Sequence, residues 1–229
     1  MWHLQEQRGA GQHAIHIRLG GRRQIDRHLR QCQLAFRAAE EVVSVLGAAP
    51  DDQALAQAPY DVLADWQDDY EGNLRVILPD TFGTHGFLET APDWVAQWTG
   101  VRIDSGDPFA GGEAAIDWWR ARGQDPRTKL AIFSDGLDVE LIEALHAHFH
   151  DRIRLGFGWG TMLTNDFRKL DARGRLDPFS IVCKVISADG KPAVKLSDNP
   201  TKAVGPTDAI QRYRRVFRVG EQAAQPVVV

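Results

Sequence analysis

Four apolar stretches of the sequence each end in a short group of acidic, hydroxyl or glycine residues. The endings read LPDTFGT, RIDSGDP, FSDGLD and GFGWGT, and they follow one another between residues 78 and 161. Aspartates of this kind accept hydrogen bonds from sugar hydroxyls, hold Mg²⁺ through water, or stabilise a developing positive charge. Glycines let backbone N–H groups approach a phosphate, and Arg102 carries the planar fork that binds carboxylates and phosphates. These residue types together suggest a ribose-phosphate ligand.

Each ending also has a structural interpretation that competes with ligand binding. Asp-Gly pairs form turns in many proteins, and a single aspartate at a strand end is more often structural than functional. Arg102 is as well explained by an ion pair with Asp104 or Asp107 as by a ligand contact. The GFGWGT turn matches neither the Walker A pattern nor GxGxxG, so it is a weak phosphate signal by itself. Four endings in series nevertheless favour one shared ligand site.

Strands and helices alternate along the chain from about residue 37, and this order determines where the endings lie. Nearly continuous apolar stretches predict strands in NLRVILPD, VRIDS, KLAIFSDG and RIRLGFGWG, and the stretches between them predict helices. Two more helices are predicted around the break at residues 50–52. Gly123 is placed to end one helix and Asp138 to begin the next. Such alternation forms a parallel sheet, open or closed, with ligands at the carboxyl ends of its strands.

The C-terminal part has a different pattern. SIVCKVISADGKPAVKLSD alternates apolar and polar residues around Asp189-Gly190, which predicts a β-hairpin. TDAIQRYRRVFRVG predicts a basic helix whose arginines face solvent and whose apolar face consists of Ile210, Tyr213, Val216 and Phe217. Residues 221–229 predict a disordered tail.

Composition and charge exclude several broad classes of function. The chain has 229 residues, a formal net charge of −4 and a pI of about 6.1, so neither a nucleic-acid nor a membrane partner is expected. The sequence has no apolar run of membrane-spanning length and no signal-type segment, and we therefore expect a cytoplasmic protein. Two cysteines, Cys32 and Cys183, cannot form a disulfide framework. An i, i+2 spacing on a predicted helix does not share one face, which favours solvated surface over a metal cluster for His146, His148 and His150.

The strand endings and the hairpin segment resemble the C-terminal half of nicotinate phosphoribosyltransferases. The motifs LPDTFGT, RIDSGDP, IFSDGLD, GFGWGTMLTND and IVCKVISADGKPAVKLSDNPTK occur in the family's order over roughly residues 58–219. The resemblance implies an α/β fold: part of the irregular α/β barrel of type II phosphoribosyltransferases, with a C-terminal β-hairpin and helix. It implies a reaction of nicotinate with 5-phosphoribosyl pyrophosphate that gives nicotinate mononucleotide and pyrophosphate in NAD salvage. It also implies coupled ATP hydrolysis and a requirement for Mg²⁺.

The resemblance assigns roles around the ribose to four residues. Arg102 would contact the pyridine or the phosphates, and Asp104 would contact the ribose hydroxyls. Ser134 and Asp135 would line the ribose. Departure of pyrophosphate leaves an oxocarbenium-like carbon, which the catalytic carboxylates Asp104 and Asp135 would favour.

Further roles implied by the resemblance concern the phosphates, the metal and the subunits. The 5′-phosphate would be held by Gly158, Gly160 and Thr161. Asp80 and Thr81 would lie near the Mg²⁺-pyrophosphate region, with Asp80 as a candidate for holding Mg²⁺. Relatives build their sites with help from a second subunit, which is compatible with a homodimer.

Two family features have no counterpart in the sequence. A TRR-type motif on an earlier barrel strand is missing, and Glu40 and Glu41 stand about where the family has the phosphorylated histidine of an AHE-like motif. Residues 1–37 form a basic, poorly patterned arm, residues 38–220 form the phosphoribosyltransferase part, and residues 221–229 form the tail. The abrupt loss of family likeness suggests a truncated reading of a longer gene, with residues 1–37 translated out of frame.

Three functions are therefore compatible with the sequence. The first is a nicotinate phosphoribosyltransferase-like enzyme domain. The second is a non-catalytic remnant that binds phosphoribosyl ligands weakly. The third is a related phosphoribosyltransferase that acts on nicotinamide or quinolinate. We expect the family's function for the sequence, but no activity from the isolated chain.

Overall fold

Two small sheets and six helices make up the part of the chain that the structure describes. This computed structural model describes residues 8–9, 12–17, 51–70, 74–164, 170, 183–188, 191–198 and 203–219. The elements are, in chain order, β1 (Arg8–Gly9), β2 (Gln12–Ile17), α1 (Asp52–Asp69), β3 (Val76–Ile77), α2 (Thr84–Thr90), β4 (Gly100–Ile103), α3 (Pro108–Ala121), β5 (Leu130–Phe133), α4 (Val139–Phe149), β6 (Arg154–Phe157), α5 (Thr161–Thr164), β7 (Cys183–Ala188), β8 (Lys191–Pro192) and α6 (Thr207–Val216).

The main sheet is parallel, with the strand order β3-β4-β5-β6. Its register places Ile103 beside Phe133 and Phe133 beside Phe157. The residues that follow these strands therefore start from the same edge of the sheet. The predicted α/β class is confirmed, and within the described residues the sheet is open, as in part of a barrel.

Aspartate side chains begin the three longest helices that connect or precede these strands. Asp51 accepts a hydrogen bond from the backbone N–H of Ala54, at 2.7 Å, and Asp138 accepts one from Leu141, at 2.9 Å. Asp107 accepts from the N–H of Phe109 at 2.8 Å, ahead of a proline that fits the first turn. Each such cap contributes about 1 kcal/mol. The predicted role of Asp138 as a cap is confirmed.

Prolines and a glycine shape the connections between elements. Pro79 follows β3 directly and begins a 3₁₀ turn, Pro79–Phe82, which limits the strand to two residues. The predicted helix in HGFLETAPDWVAQWTG is divided at Pro92 into α2 and a second 3₁₀ turn, Asp93–Gln97. Gly123 follows α3 with a φ of +69°, as its predicted role in ending the helix requires. The helix predicted before residue 50 lies outside the described residues.

The larger hydrophobic core joins the main sheet to α3 and α4. Trp119 and Phe149 are completely buried, and Phe133 is 1% exposed between them. The rings of Phe133 and Phe149 stack with centroids 5.5 Å apart. Full burial of each such side chain stabilises the fold by about 1.5–3 kcal/mol. This packing holds the sheet rigidly beneath the strand ends.

The second sheet has the order β1-β2-β7-β8 and contains the predicted hairpin. β7 and β8 are antiparallel, with Ala188 opposite Lys191, which confirms the hairpin predicted around Asp189-Gly190. β2 pairs in parallel with β7. The sequence pattern did not predict β1 and β2, because a strand takes its hydrogen bonds from its neighbour and local propensity is a weak guide. The other residues of the N-terminal arm, and the tail, lie outside the described residues.

A smaller core attaches the C-terminal helix to α1 and to the 3₁₀ turn after β3. Tyr213 is 2% exposed and contacts Phe82, with ring centroids 5.4 Å apart. The apolar face predicted for α6 is confirmed, since the residues packed in this core include Ile210, Tyr213, Val216 and Phe217. Of its arginines, Arg212 and Arg215 pair with Asp52 on α1. None of the described helices combines the length and apolar character needed to cross a bilayer.

Candidate functional site at the carboxyl ends of the strands

Arg102, Asp104 and Ser134 form one hydrogen-bonded cluster at the carboxyl edge of β4 and β5. Nε of Arg102 donates to Oγ of Ser134 at 2.7 Å, and its Nη2 donates to Oδ1 of Asp104 at 2.5 Å. Ser134 Oγ also donates to the same carboxylate oxygen at 2.7 Å. The register of the two strands places these residues together, because the backbone N–H of Ser134 donates to Ile103 at 3.0 Å. We call these three residues the strand-end cluster.

The strand-end cluster is half-buried and holds opposite charges in fixed positions. The side chains of Arg102 and Asp104 are 17% and 22% exposed. Of the two carboxylates considered as partners for this arginine, the structure pairs it with Asp104, while Asp107 caps α3. Both hydrogen bonds that Asp104 accepts in the cluster use its Oδ1, and within the described residues its second carboxylate oxygen accepts none. The cluster therefore presents a guanidinium and a carboxylate to the space above the sheet edge.

The glycine turn after β6 lies directly against the strand-end cluster. The backbone N–H of Gly158 donates to the carbonyl of Phe133 at 2.8 Å. A Cβ added at Gly158 would lie 2.9 Å from Cβ of Ser134, so any other residue at this position would force Ser134 to move. Gly160 is exposed with open space around it, and Thr161 begins the four-residue helix α5. The turn thus brings exposed backbone close to the ribose candidates.

Asp135 lies in the exposed turn that follows Ser134. The turn is completed by Gly136, whose φ of +61° suits glycine far better than other residues. Asp135 is itself exposed, unlike Asp104. The predicted residues Arg102, Asp104, Ser134, Asp135, Gly158, Gly160 and Thr161 therefore all come from three adjacent strand ends.

Asp80 and Thr81 lie in a different environment, which is buried. Asp80 is 2% exposed, and its carboxylate accepts hydrogen bonds from Nζ of Lys195 at 3.0 Å, from Oγ of Ser197 at 3.0 Å, and from Oγ of Ser105. Burial acts to raise the pKa of Asp80, but the ammonium and the hydroxyl donors outweigh it and lower the pKa. Thr81 is 4% exposed, and its carbonyl accepts from the N–H of Leu196 at 2.8 Å.

Asp198 continues this buried polar network to the start of α2. Its carboxylate accepts from the backbone N–H of Thr84 at 2.8 Å and from the hydroxyl of Thr84 at 2.5 Å. Burial raises the pKa of Asp198, and the nearby charge of Asp80 acts in the same direction. Sequence reasoning missed Lys195, Ser197 and Asp198. One signal was available, since a lysine within the apolar stretch PAVKL needs a buried partner.

The described residues contain no preformed metal site of three or more ligands. Within them, no group of three or more His, Cys, Asp or Glu side chains lies close enough to hold an ion. Asp80 in particular does not fit a Mg²⁺ ligand, because both of its carboxylate oxygens accept hydrogen bonds and one of them faces an ammonium.

A protein-family model and several solved structures match this chain. Residues 10–221 match the model of the Nicotinate phosphoribosyltransferase (NAPRTase) family. The matched range begins within the N-terminal arm, which the motifs had left unassigned. The resemblance inferred from the strand endings is confirmed by this match.

Three solved structures are similar over most of this chain. A nicotinate phosphoribosyltransferase from Vibrio cholerae shares 32% identity with a TM-score of 0.69, over 80% of this chain and 44% of its own. One from Porphyromonas gingivalis shares 30% identity with a TM-score of 0.68, over 79% of this chain and 46% of its own. A putative one from Saccharomyces cerevisiae shares 29% identity with a TM-score of 0.69, over 79% and 44%. The chain thus spans less than half the length of these proteins.

Proposed function

Because the chain belongs to the nicotinate phosphoribosyltransferase (NAPRTase) family, we propose that its strand-end cluster binds the ribose of 5-phosphoribosyl pyrophosphate. The reaction would join this sugar to nicotinate and give nicotinate mononucleotide and pyrophosphate, as a step of NAD salvage in the cytoplasm. The observation that supports this most strongly is the guanidinium–carboxylate–hydroxyl contact of Arg102, Asp104 and Ser134 at the sheet edge. Ligands of parallel α/β folds bind at this edge.

Asp104 has the chemistry to bind the sugar and to stabilise charge on it. Its Oδ1 is held by Arg102 and Ser134, and its other oxygen is oriented as a consequence. A fixed carboxylate accepts hydrogen bonds from ribose hydroxyls and favours the positive charge that develops as pyrophosphate leaves. The exposed carboxylate of Asp135 is the second candidate for this role.

Arg102 can neutralise an anionic part of either substrate without being displaced from Asp104. Nε and Nη2 are engaged within the cluster, and a guanidinium carries five N–H donors, so donors remain for a ligand. The carboxylate of nicotinate and the phosphates are both suitable partners. We assign the 5′-phosphate to the backbone of Gly158 and Gly160, because Gly158 lies against Ser134, and to Thr161 as the family resemblance implies.

ATP, Mg²⁺ and a second subunit complete the proposal as implied by the family. Mg²⁺ would neutralise the pyrophosphate group as it departs. Because Asp80 is already engaged by Lys195, and no group of three or more ligating side chains lies together among the described residues, we place Mg²⁺ on the substrate rather than on Asp80. Glu40 and Glu41, where the family's histidine motif would fall, lie outside the described residues.

A second candidate is a chain that binds phosphoribosyl ligands without turnover. The observation that favours it is the coverage of 44–46% of the solved relatives. We propose weak binding without turnover for this chain alone, and the full reaction when the remainder of the family's site is supplied.

The experiment that tests the proposal is calorimetric titration of the chain with 5-phosphoribosyl pyrophosphate and with ribose 5-phosphate. Arg102→Gln and Asp104→Asn each remove a charged partner, which should weaken binding by about tenfold to a hundredfold. Asp107→Asn is the matched control, because this residue caps α3 beside the site without joining the cluster. Equal losses in the control, or unchanged binding in the first two variants, would contradict the proposal.

An assay of nicotinate mononucleotide formation distinguishes the two candidates. Purified chain is incubated with nicotinate, 5-phosphoribosyl pyrophosphate and Mg²⁺, with and without ATP. Binding without product supports the second candidate. ATP-dependent turnover by the chain alone would refute it.

A further inference from the structure

Two histidines near the end of α4 stack on each other at the protein surface. His146 and His150 are one helical turn apart, and their rings are 5.3 Å apart between centroids with an interplanar angle of 14°. Both residues are exposed. Residues spaced i, i+4 share one face of a helix. The sequence-based interpretation of surface histidines considered the i, i+2 spacing and overlooked this pair.

His148, which lies between them in sequence, faces another helix. Its Nε2 lies 2.7 Å from Oε1 of Glu113 on α3, and its ring makes an edge contact with Phe109. Arg152 binds the same glutamate with two hydrogen bonds of 2.6 and 2.5 Å. His148 is therefore committed to helix packing and is separate from the stacked pair.

The stacked pair has two features that favour a bound cation. Nδ1 of His150 lies 2.8 Å from Oδ1 of Asp151, a contact that engages Nδ1 and leaves Nε2 as the nitrogen that would bind an ion. The pair also lies in the last turn of α4, where the helix dipole carries partial negative charge. An imidazole that binds a metal through one nitrogen commonly donates the N–H of its other nitrogen to a carboxylate.

We propose that His146 and His150 form a bidentate site for a divalent transition metal ion, with water completing the coordination. Two imidazoles suit Zn²⁺, Ni²⁺ and Cu²⁺, and they do not suit Mg²⁺ or Ca²⁺, which take oxygen ligands. The affinity of the site for Cu²⁺ should be higher than its affinity for Ni²⁺ or Zn²⁺. This site is independent of the proposed phosphoribosyl function.

The position of the pair in the fold separates it from the strand-end cluster. α4 starts after the carboxyl end of β5 and ends shortly before the first residue of β6. The pair therefore lies toward the opposite edge of the sheet from Arg102 and Asp104.

Titration of the full chain with Zn²⁺ or Cu²⁺ alone, followed by calorimetry and by electron paramagnetic resonance for Cu²⁺, tests the proposal. His146→Gln and His150→Gln should each weaken binding by at least about tenfold, and Asp151→Asn by roughly tenfold, as for outer partners of metal-bound histidines. His148→Gln is the matched control and should bind like the wild type. Metal ions that bind to other histidines or to cysteines contribute equally in all variants, so this contribution cancels when the variants are compared.

The outcomes are distinguishable without any assay of enzyme activity. The Cu²⁺ spectrum of the wild type should show coupling to two imidazole nitrogens, and that of His150→Gln should lose it. Far-UV circular dichroism should be unchanged in each variant, because the substituted side chains are exposed. Unchanged binding in His146→Gln, or an equal loss in His148→Gln, would overturn the proposal.

Discussion

Replacing Lys195 with methionine is expected to destabilise the protein by about 3–5 kcal/mol, the usual loss when a buried ion pair loses one partner. Nζ of Lys195 lies 3.0 Å from Oδ2 of Asp80, and the two side chains are 8% and 3% exposed. At that separation two unit charges attract by about 5.5 kcal/mol with an effective dielectric constant of about 20. Methionine retains an apolar stem and removes the charge, so Asp80 would be left buried without its cation.

Equilibrium urea unfolding near pH 7 measures this loss as a shift in the transition midpoint. The matched control is Arg127→Met, which removes a cation 2.9 Å from Asp125 in a pair that is 73% and 44% exposed. Its effect should be much smaller, because exposed ion pairs are screened by water. The double variant Asp80→Asn/Lys195→Met removes both charges and should recover part of the stability. Equal losses in Lys195→Met and Arg127→Met would refute the reasoning.

The pH dependence of the same variants tests whether the effect is ionic. In the wild type the folded pKa of Asp80 is lowered, so its contribution is present above about pH 4 and is lost as the pH falls through the folded pKa. Without the ammonium, burial would instead raise the pKa of Asp80, so the variant gains stability as the pH falls. The difference between wild type and Lys195→Met should therefore shrink between about pH 7 and pH 4. A constant difference would point to packing rather than charge.

Two further pairs of variants test the packing of the site and of the cores. Gly158→Ala should weaken binding of ribose 5-phosphate about tenfold, because the added Cβ would displace the adjacent cluster serine, whereas Gly160→Ala has open space and should bind normally. Calorimetric titration compares the two, and equal effects would contradict the steric argument. Tyr60→Phe should cost about 1 kcal/mol, since it loses a 2.7 Å hydrogen bond, while Tyr213→Phe should be neutral or stabilising, since its buried hydroxyl has no partner among the described residues. Urea unfolding measures both, and a larger loss in Tyr213→Phe would show that its hydroxyl is satisfied.

The strand ends and helix starts could be predicted from the sequence because their signals are local. An apolar stretch followed by acidic residues and glycine indicates a strand and its turn, and parallel pairing then brings successive endings to one edge. The same logic identified Asp138 as a cap. Pattern alone could not choose between an ion pair and a ligand contact for Arg102. The structure shows the ion pair with Asp104, and its geometry leaves guanidinium donors for a ligand as well.

The buried network around Asp80 could not be predicted because its members are far apart in sequence. Asp80 and Lys195 are separated by 115 positions, and neither residue's neighbours show which partner it takes. The strand β2 escaped prediction for a similar reason, since its partner β7 lies near the other end of the chain. Sequence periodicity indicates which face of an element is buried. It gives little information about which distant element covers that face.

Adjacent residues in the loop after β4 connect the buried network to the strand-end cluster. The side chain of Asp104 joins Arg102, whereas Ser105 donates its hydroxyl to the buried carboxylate of Asp80. Since two consecutive residues belong to two different hydrogen-bond networks, we expect the orientation of Asp104 to depend on Lys195 as well as on the sheet. Lys195→Met should consequently weaken ribose 5-phosphate binding under conditions where the variant is still folded. Binding equal to that of the wild type in such a folded variant would show that the sheet alone orients Asp104.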